Sequence, residues 1–146
     1  MTFERVPSLV GRLRLAYDLG QSSMLGRIHA AGHPDVTMSM IALFRFAGVD
    51  GRRPGEIATT ARLSKQATND MLRELERLDY VERHPDPTDG RARIIRLTMR
   101  GQALDTVVWT AGREVEQSWR KRFDDRQWTT LNEVLDRLIE PNSTST

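Results

Sequence analysis

The sequence predicts a mainly helical fold with one small β-hairpin, and three observations carry that prediction. Apolar residues recur at helical spacing before and after the middle of the chain. One stretch, from Val81 to Leu97, is instead strand-forming at both ends and turn-rich at its centre, His84-Pro85-Asp86-Pro87-Thr88-Asp89-Gly90. Breakers at Gly32, Pro34, Gly51 and Pro54 divide the helical part into separate segments.

From about Arg5 to Ile28, Val6, Leu9, Val10, Leu13, Ala16, Tyr17, Met24 and Leu25 mark one face of a long helix despite Gly11 and Gly20. His29 to Val36 reads as a loop. Thr37 caps a second helix, Met38 to Ala47, with Met40, Ile41, Leu43, Phe44 and Ala47 as its apolar set. Val49-Asp50-Gly51 turns the chain, and Pro54 suits a first helical position because its missing N–H has no intrahelical partner there.

A short helix over Gly55–Ala61 is followed by Ser64, a good cap for a helix whose stripe is Thr68, Met71, Leu72, Leu75 and Leu78. Away from that stripe, near the amino end, stand Lys65, Gln66 and Asn69, side chains able to meet base edges in a major groove. A helix-turn-helix presents that end of its second helix to DNA. In the hairpin, Arg91 and Arg93 lie two apart, so on a strand they share one face, and arginine at a hairpin tip suits a narrow, negative minor groove. Helix, helix and basic wing together describe a winged helix-turn-helix.

After the wing, Thr98 caps a helix of some seven turns with a stripe of Leu104, Val107, Val108, Ala111, Val115, Trp119 and Phe123. Asp124 and Gln127 form a capping box opening a last helix, with Trp128, Leu131, Val134, Leu135, Leu138 and Ile139 on one side. The expected organisation is an N-terminal dimerisation helix and loop over 1-36 and a winged helix-turn-helix over 37-100. C-terminal dimerisation helices over 101-140 and a disordered tail over 141-146 complete it. The flanking stripes exceed what the small reader can cover, so packing against a second copy, a two-fold homodimer, is expected. Two recognition helices about 34 Å apart call for an imperfect palindrome of roughly 15 to 20 base pairs.

The sequence resembles the MarR family of bacterial transcriptional regulators. Glu56-Ile57-Ala58, Leu63-Ser64, Leu72 and Leu75, Asp86-Pro87-Thr88-Asp89-Gly90-Arg91 and Leu97-Thr98-Met99-Arg100-Gly101 match the family's ELA, LS, DPxDxR and LTxxG features in order. The resemblance implies a mainly α fold with a small β-wing, a winged helix-turn-helix plus a helical dimerisation region, and a DNA-binding repressor gated by a small ligand. Residues implied for DNA are Ser64, Lys65, Gln66, Ala67, Asn69, Arg73, Arg91 and Arg93, with Asp86 and Asp89 orienting the wing. Arg14, Tyr17 and Phe44, together with Phe46 and Trp109, are candidates to line an effector cleft. Three positions depart from the pattern. Asp79 stands where glycine often ends the recognition helix, Gly90 replaces a frequent wing arginine, and Asp70 stands where arginine is common, so no operator sequence transfers.

At 146 residues the chain has no room for a catalytic domain beside the winged helix. The net charge of +2 does not announce nucleic-acid binding, but its distribution is uneven. Residues 52 to 100 carry 11 basic against 8 acidic groups, whereas residues 101 to 146 carry 6 against 8. The absence of cysteine excludes disulfides, thiolate metal sites and a thiol redox sensor. No apolar run or signal segment appears, so a cytoplasmic protein without membrane contact is expected.

His29, His33 and His84 could suggest a metal site, but Gly32 and Pro34 spoil the helical spacing, and polar loop histidines are the expected reading. In a DPxD turn, Asp86 and Asp89 ordinarily cap backbone amides and orient the neighbouring arginine. No nucleophile, base and oxyanion donor converge and no phosphate-cradling loop is present, so neither catalysis nor a cofactor is expected. Two functions stay open: a dimeric, sequence-specific double-stranded DNA-binding regulator, or a winged-helix protein-interaction module in which Arg91 and Arg93 meet acidic protein surface.

Overall fold

Helix caps and breakers set the boundaries seen in the computed structural model, which describes residues 8–140. Among these, six helices and one two-stranded antiparallel sheet follow in the order α1 (Leu9–Ala30), α2 (Met38–Phe44), α3 (Pro54–Ala61), α4 (Lys65–Arg77), β1 (Val81–Asp86), β2 (Asp89–Leu97), α5 (Met99–Arg120) and α6 (Asp125–Ile139). The chain divides into two compact units, one through Gly112 and one from Arg113, so the boundary falls inside α5. This is the helical, winged architecture that the sequence predicts.

The caps are the expected ones. Thr37 Oγ1 accepts the Met40 N–H at 3.2 Å, Ser64 Oγ the Ala67 N–H at 3.1 Å and Thr98 Oγ1 the Gly101 N–H at 3.0 Å. At α6, Asp124 and Gln127 form the reciprocal capping box at 2.8 and 3.1 Å. The start expected near Arg5 lies outside the described residues, as does the 141-146 tail; the described part of α1 is capped by Ser8 and runs on to Ala30.

Two helices stop short of their expected ends. Helix α2 ends at Phe44 rather than Ala47, because Phe46 and Ala47 turn back onto the Leu43 and Phe44 carbonyls and Gly48 leaves at φ +68°. Helix α5 ends at Arg120 rather than Phe123, where Arg122 and Phe123 bond to the Trp119 and Arg120 carbonyls before Asp124 opens α6.

In the first unit, Ile28, Leu43, Phe44, Ile57, Leu72, Leu75, Tyr80, Ile95 and Leu104 form one core in which none is more than 1% exposed. Each such aliphatic side chain contributes about 1.5–3 kcal/mol of transfer free energy. Only the C-terminal end of α1 joins it, through Met24, Leu25 and Ile28, while Leu9, Val10, Leu13 and Tyr17 stay exposed. In the second unit no residue of α6 is buried, and Leu131, Val134, Leu138 and Ile139 are open to solvent.

Candidate nucleic-acid interface

The α3–α4 turn is closed by backbone geometry. Arg62 takes a left-handed conformation, φ 55°, which lets Leu63 donate to the Ala58 carbonyl at 3.0 Å and ends α3. Ser64 then starts α4, which sinks Thr68, Leu72 and Leu75 to zero exposure. With that face fixed inward, Lys65 and Gln66 are exposed at the amino end, and Ala67 and Asn69 are half-buried beside them. Within the described residues no hydrogen bond or ion pair engages the side chains of Lys65, Gln66 or Asn69. Arg73, also exposed, lies 3.5 Å from the Asp70 carboxylate one turn earlier, so its charge is partly answered.

Asp79 ends α4 with φ 62°, the left-handed position read from the sequence, and Tyr80 donates back to the Leu75 carbonyl at 2.9 Å. The wing follows at once. Val81 pairs with Leu97 and Pro85 with Arg93, with a register shift between Pro85 and Asp86. Apolar residues anchor the base, where Val81, Ile94, Ile95 and Leu97 are buried. Arg91 and Arg93 are both exposed on β2, and their guanidinium groups have no partner among the described residues.

Both wing carboxylates cap backbone amides as expected, but the arginine that Asp86 holds is a distant one. Asp86 does not hold a neighbouring arginine: its Oδ2 accepts from Arg53 Nε at 2.6 Å, 33 residues earlier, while its Oδ1 accepts the Thr88 N–H at 2.8 Å and the Thr88 hydroxyl at 2.7 Å. Those Thr88 and Arg53 hydrogen bonds hold its carboxyl down at about 2. Asp89 caps the Arg91 N–H at 3.1 Å and lies 3.8 Å from Arg53 Nη2.

Sequence reasoning missed Arg53 and its neighbours. Arg52 exchanges two backbone bonds with Ile95, 3.0 and 2.8 Å, laying a one-residue third strand beside the wing. Gly51, φ +89°, makes this approach possible, since a Cβ there would stand 2.8 Å from Arg96 Cγ. The positive-φ glycine is the one local signal; the reach of Arg53 to residue 86 leaves none in the sequence.

The other candidates are scattered. Arg14 and Tyr17 are exposed on α1, where Arg14 pairs with Asp18 at 3.0 Å and the Tyr17 hydroxyl accepts from Gln21 at 2.5 Å. Phe44 is 1% exposed and belongs to the core; Phe46 packs half-buried against it, and Trp109 is exposed on α5. Of these five, Phe44 and Phe46 lie in or against the core, and Arg14, Tyr17 and Trp109 are exposed. Of the histidines, His29 is on α1 and bonds to the Val36 carbonyl at 2.8 Å, and His84 is on β1, 2.7 Å from Glu82. His33 lies in the loop between α1 and α2 as expected, but it is buried, with Nδ1 2.8 Å from the Tyr80 hydroxyl. Burial, then the charge of Arg100, lowers its pKa. No group of three metal-ligating side chains forms among the described residues, and no described helix is long and apolar enough to cross a membrane.

Residues 37–92, from the α2 cap to the wing, match the MarR family. Over this segment the chain is similar to a MarR-family winged helix. The MarR-like architecture extends over nearly the whole chain. Apo wild-type MarR from E. coli superposes with a TM-score of 0.70 at 21% identity, over 92% of this chain and 99% of that one. A variant of S. aureus MepR bound to an oligodeoxyribonucleotide does so with 0.64 at 19%, over 92% and 97%. MepR bound to ethidium bromide gives 0.62 at 18%, over 91% and 95%. A comparison with curated proteins finds no match.

Proposed function

We propose that this protein is a MarR-family, homodimeric, sequence-specific double-stranded DNA-binding transcriptional regulator, a cytoplasmic repressor whose DNA affinity a small ligand modulates. The observation that carries this reading is the pairing of two unsatisfied polar surfaces. Lys65, Gln66 and Asn69 lie at the amino end of α4, and Arg91 and Arg93 on the wing, all without partners among the described residues. A major-groove helix flanked by a cationic minor-groove probe uses such surfaces, the first for base edges and the second for phosphate and groove potential. Ser64 and Ala67 let the helix end approach the backbone, and Arg73 adds a phosphate contact once freed from Asp70. The protein acts by binding and catalyses nothing.

Dimerisation is supported by the apolar side chains left open on α1 and on α6, each considered within its own unit. Symmetry then calls for an imperfect palindrome. The oligonucleotide-bound and ethidium-bound MepR structures, of similar fold, support a DNA partner and a small effector. For the effector the surface of Arg14 and Tyr17 is offered; Phe44, being in the core, acts only through packing.

The test is selection of preferred sites from random duplex DNA, followed by titration across salt. Affinity for the selected site should fall steeply with salt and exceed that for random DNA. Gln66→Ala or Asn69→Ala should lose roughly 1 to 3 kcal/mol on the selected site while nearly sparing random DNA. Arg91→Ala should weaken both. Salt-independent binding, or no preferred site, would overturn the proposal.

A further inference from the structure

Arg53 occupies the N-cap of α3, where Ser, Thr, Asp or Asn would normally accept a helix amide. A guanidinium has no acceptor, so its side chain takes no part in the cap: the Glu56 carboxylate accepts the Arg53 N–H at 3.0 Å, and the Glu56 N–H donates at 3.0 Å to the Arg53 backbone carbonyl. The side chain is thereby released from its own helix. It crosses to the wing turn, where Nε donates to Asp86 Oδ2 at 2.6 Å and Nη2 approaches Asp89 at 3.8 Å. The other oxygen of the same Asp86 carboxylate closes the turn on Thr88. One buried carboxylate thus joins the start of the helix-turn-helix to the tip of the hairpin. The Arg52–Ile95 bridge fixes the preceding residue on β2, so the Arg53 side chain leaves from a backbone that is already held.

We propose that Arg53 is a positioning residue that clamps the wing to the helix-turn-helix through Asp86, setting where Arg91 and Arg93 stand relative to α4. A two-stranded ribbon with a loop at its tip has little stability of its own, so a tether at the turn decides its orientation. The inference deepens the DNA-binding reading and rests on it for its functional consequence, but the tether itself belongs to the free protein.

The experiment has two arms on the full-length chain. In the first, 15N relaxation is measured without DNA. Arg53→Ala and Asp86→Asn should each lower order parameters over residues 86–93 from about 0.85 toward 0.6 or less, with α3 and α4 unchanged. Unchanged wing order in both variants overturns the tether. In the second arm, duplex affinity is read in a double-mutant cycle. Arg91→Ala should weaken binding about tenfold in the native background and less than about threefold in Arg53→Ala, because a wing already misplaced has less contact to lose. Asp86→Asn should weaken binding as Arg53→Ala does. Additive losses, with Asp86→Asn harmless or tighter, would mean that Arg53 touches phosphate directly, and would overturn the proposal. Wild-type protein that binds no duplex would refute the DNA-binding reading, and the relaxation arm alone would then decide the tether.

Discussion

Replacing Gly101 by Ala tests the junction where the wing meets α5. A Cβ at Gly101 would fall far inside van der Waals contact with the Tyr80 carbonyl oxygen, 3.1 Å from the Tyr80 carbonyl carbon and 3.3 Å from Leu97 Cβ. The offended atom is backbone, and that carbonyl also accepts the Thr98 N–H at 3.2 Å, so it cannot swing aside like a side-chain end. Overpacking of this kind costs typically 1–3 kcal/mol, and a backbone obstacle places this case near ~3 kcal/mol. Better helix propensity returns up to about 1 kcal/mol. The net expectation is a loss of about 2 kcal/mol, or roughly 4–8 °C in Tm for a chain of this size. Gly26→Ala is the control: nothing stands within 4 Å of its Cβ, so the propensity gain should appear alone. Urea and thermal unfolding at fixed protein concentration measure both, since dimerisation would make stability concentration-dependent. A Gly101→Ala protein as stable as wild type would refute the close-approach reasoning.

Thr68 Oγ1 is fully buried without a hydrogen-bond partner, so Thr68→Val should leave the fold as stable or raise it by about 1 kcal/mol in urea unfolding, and a loss would reveal a missed partner. His33 has a folded-state pKa below its ordinary 6.5, first from burial and then from Arg100. The unfolded chain therefore binds the proton more readily, and stability should fall as pH drops below about 6.5. A Tm series from pH 7.5 to 5.5 should show this decline flattened in His33→Gln, and equal slopes would refute it. Leu131→Glu with Leu138→Glu changes side chains that are 36% and 56% exposed in the single chain. A monomer should tolerate the pair within about 1 kcal/mol, whereas in the proposed dimer sedimentation equilibrium should show dissociation. An unchanged sedimentation mass in the double variant would argue against α6 as an interface.

Local chemistry made much of this protein legible in its sequence. Caps at Thr37, Ser64, Thr98 and Asp124 appear where a hydroxyl or carboxylate precedes an apolar-periodic run, because they satisfy amides three residues away. The α4 stripe identified which face turns inward, and by subtraction left Lys65 and Gln66 outside. Asp79 in the left-handed region followed from its short polar side chain. Boundaries were less legible: the ends of α2 and α5 depend on tight terminal turns worth little energy either way.

Only tertiary structure decided the long-range partners. Nothing in the spacing of Arg53 and Asp86 announces their contact, since an ion pair across 33 residues has no periodicity to betray it. The burial of His33 against Tyr80, 47 residues away, is of the same kind. So is Gly101, whose need for a bare Cα comes from the carbonyl of Tyr80 and not from any turn of its own. Sequence patterns report what a residue does for its own helix or strand, because those forces act over three or four positions. Which elements then meet is set by the packing of whole faces, and the chemistry at those meetings exists only once the chain has folded.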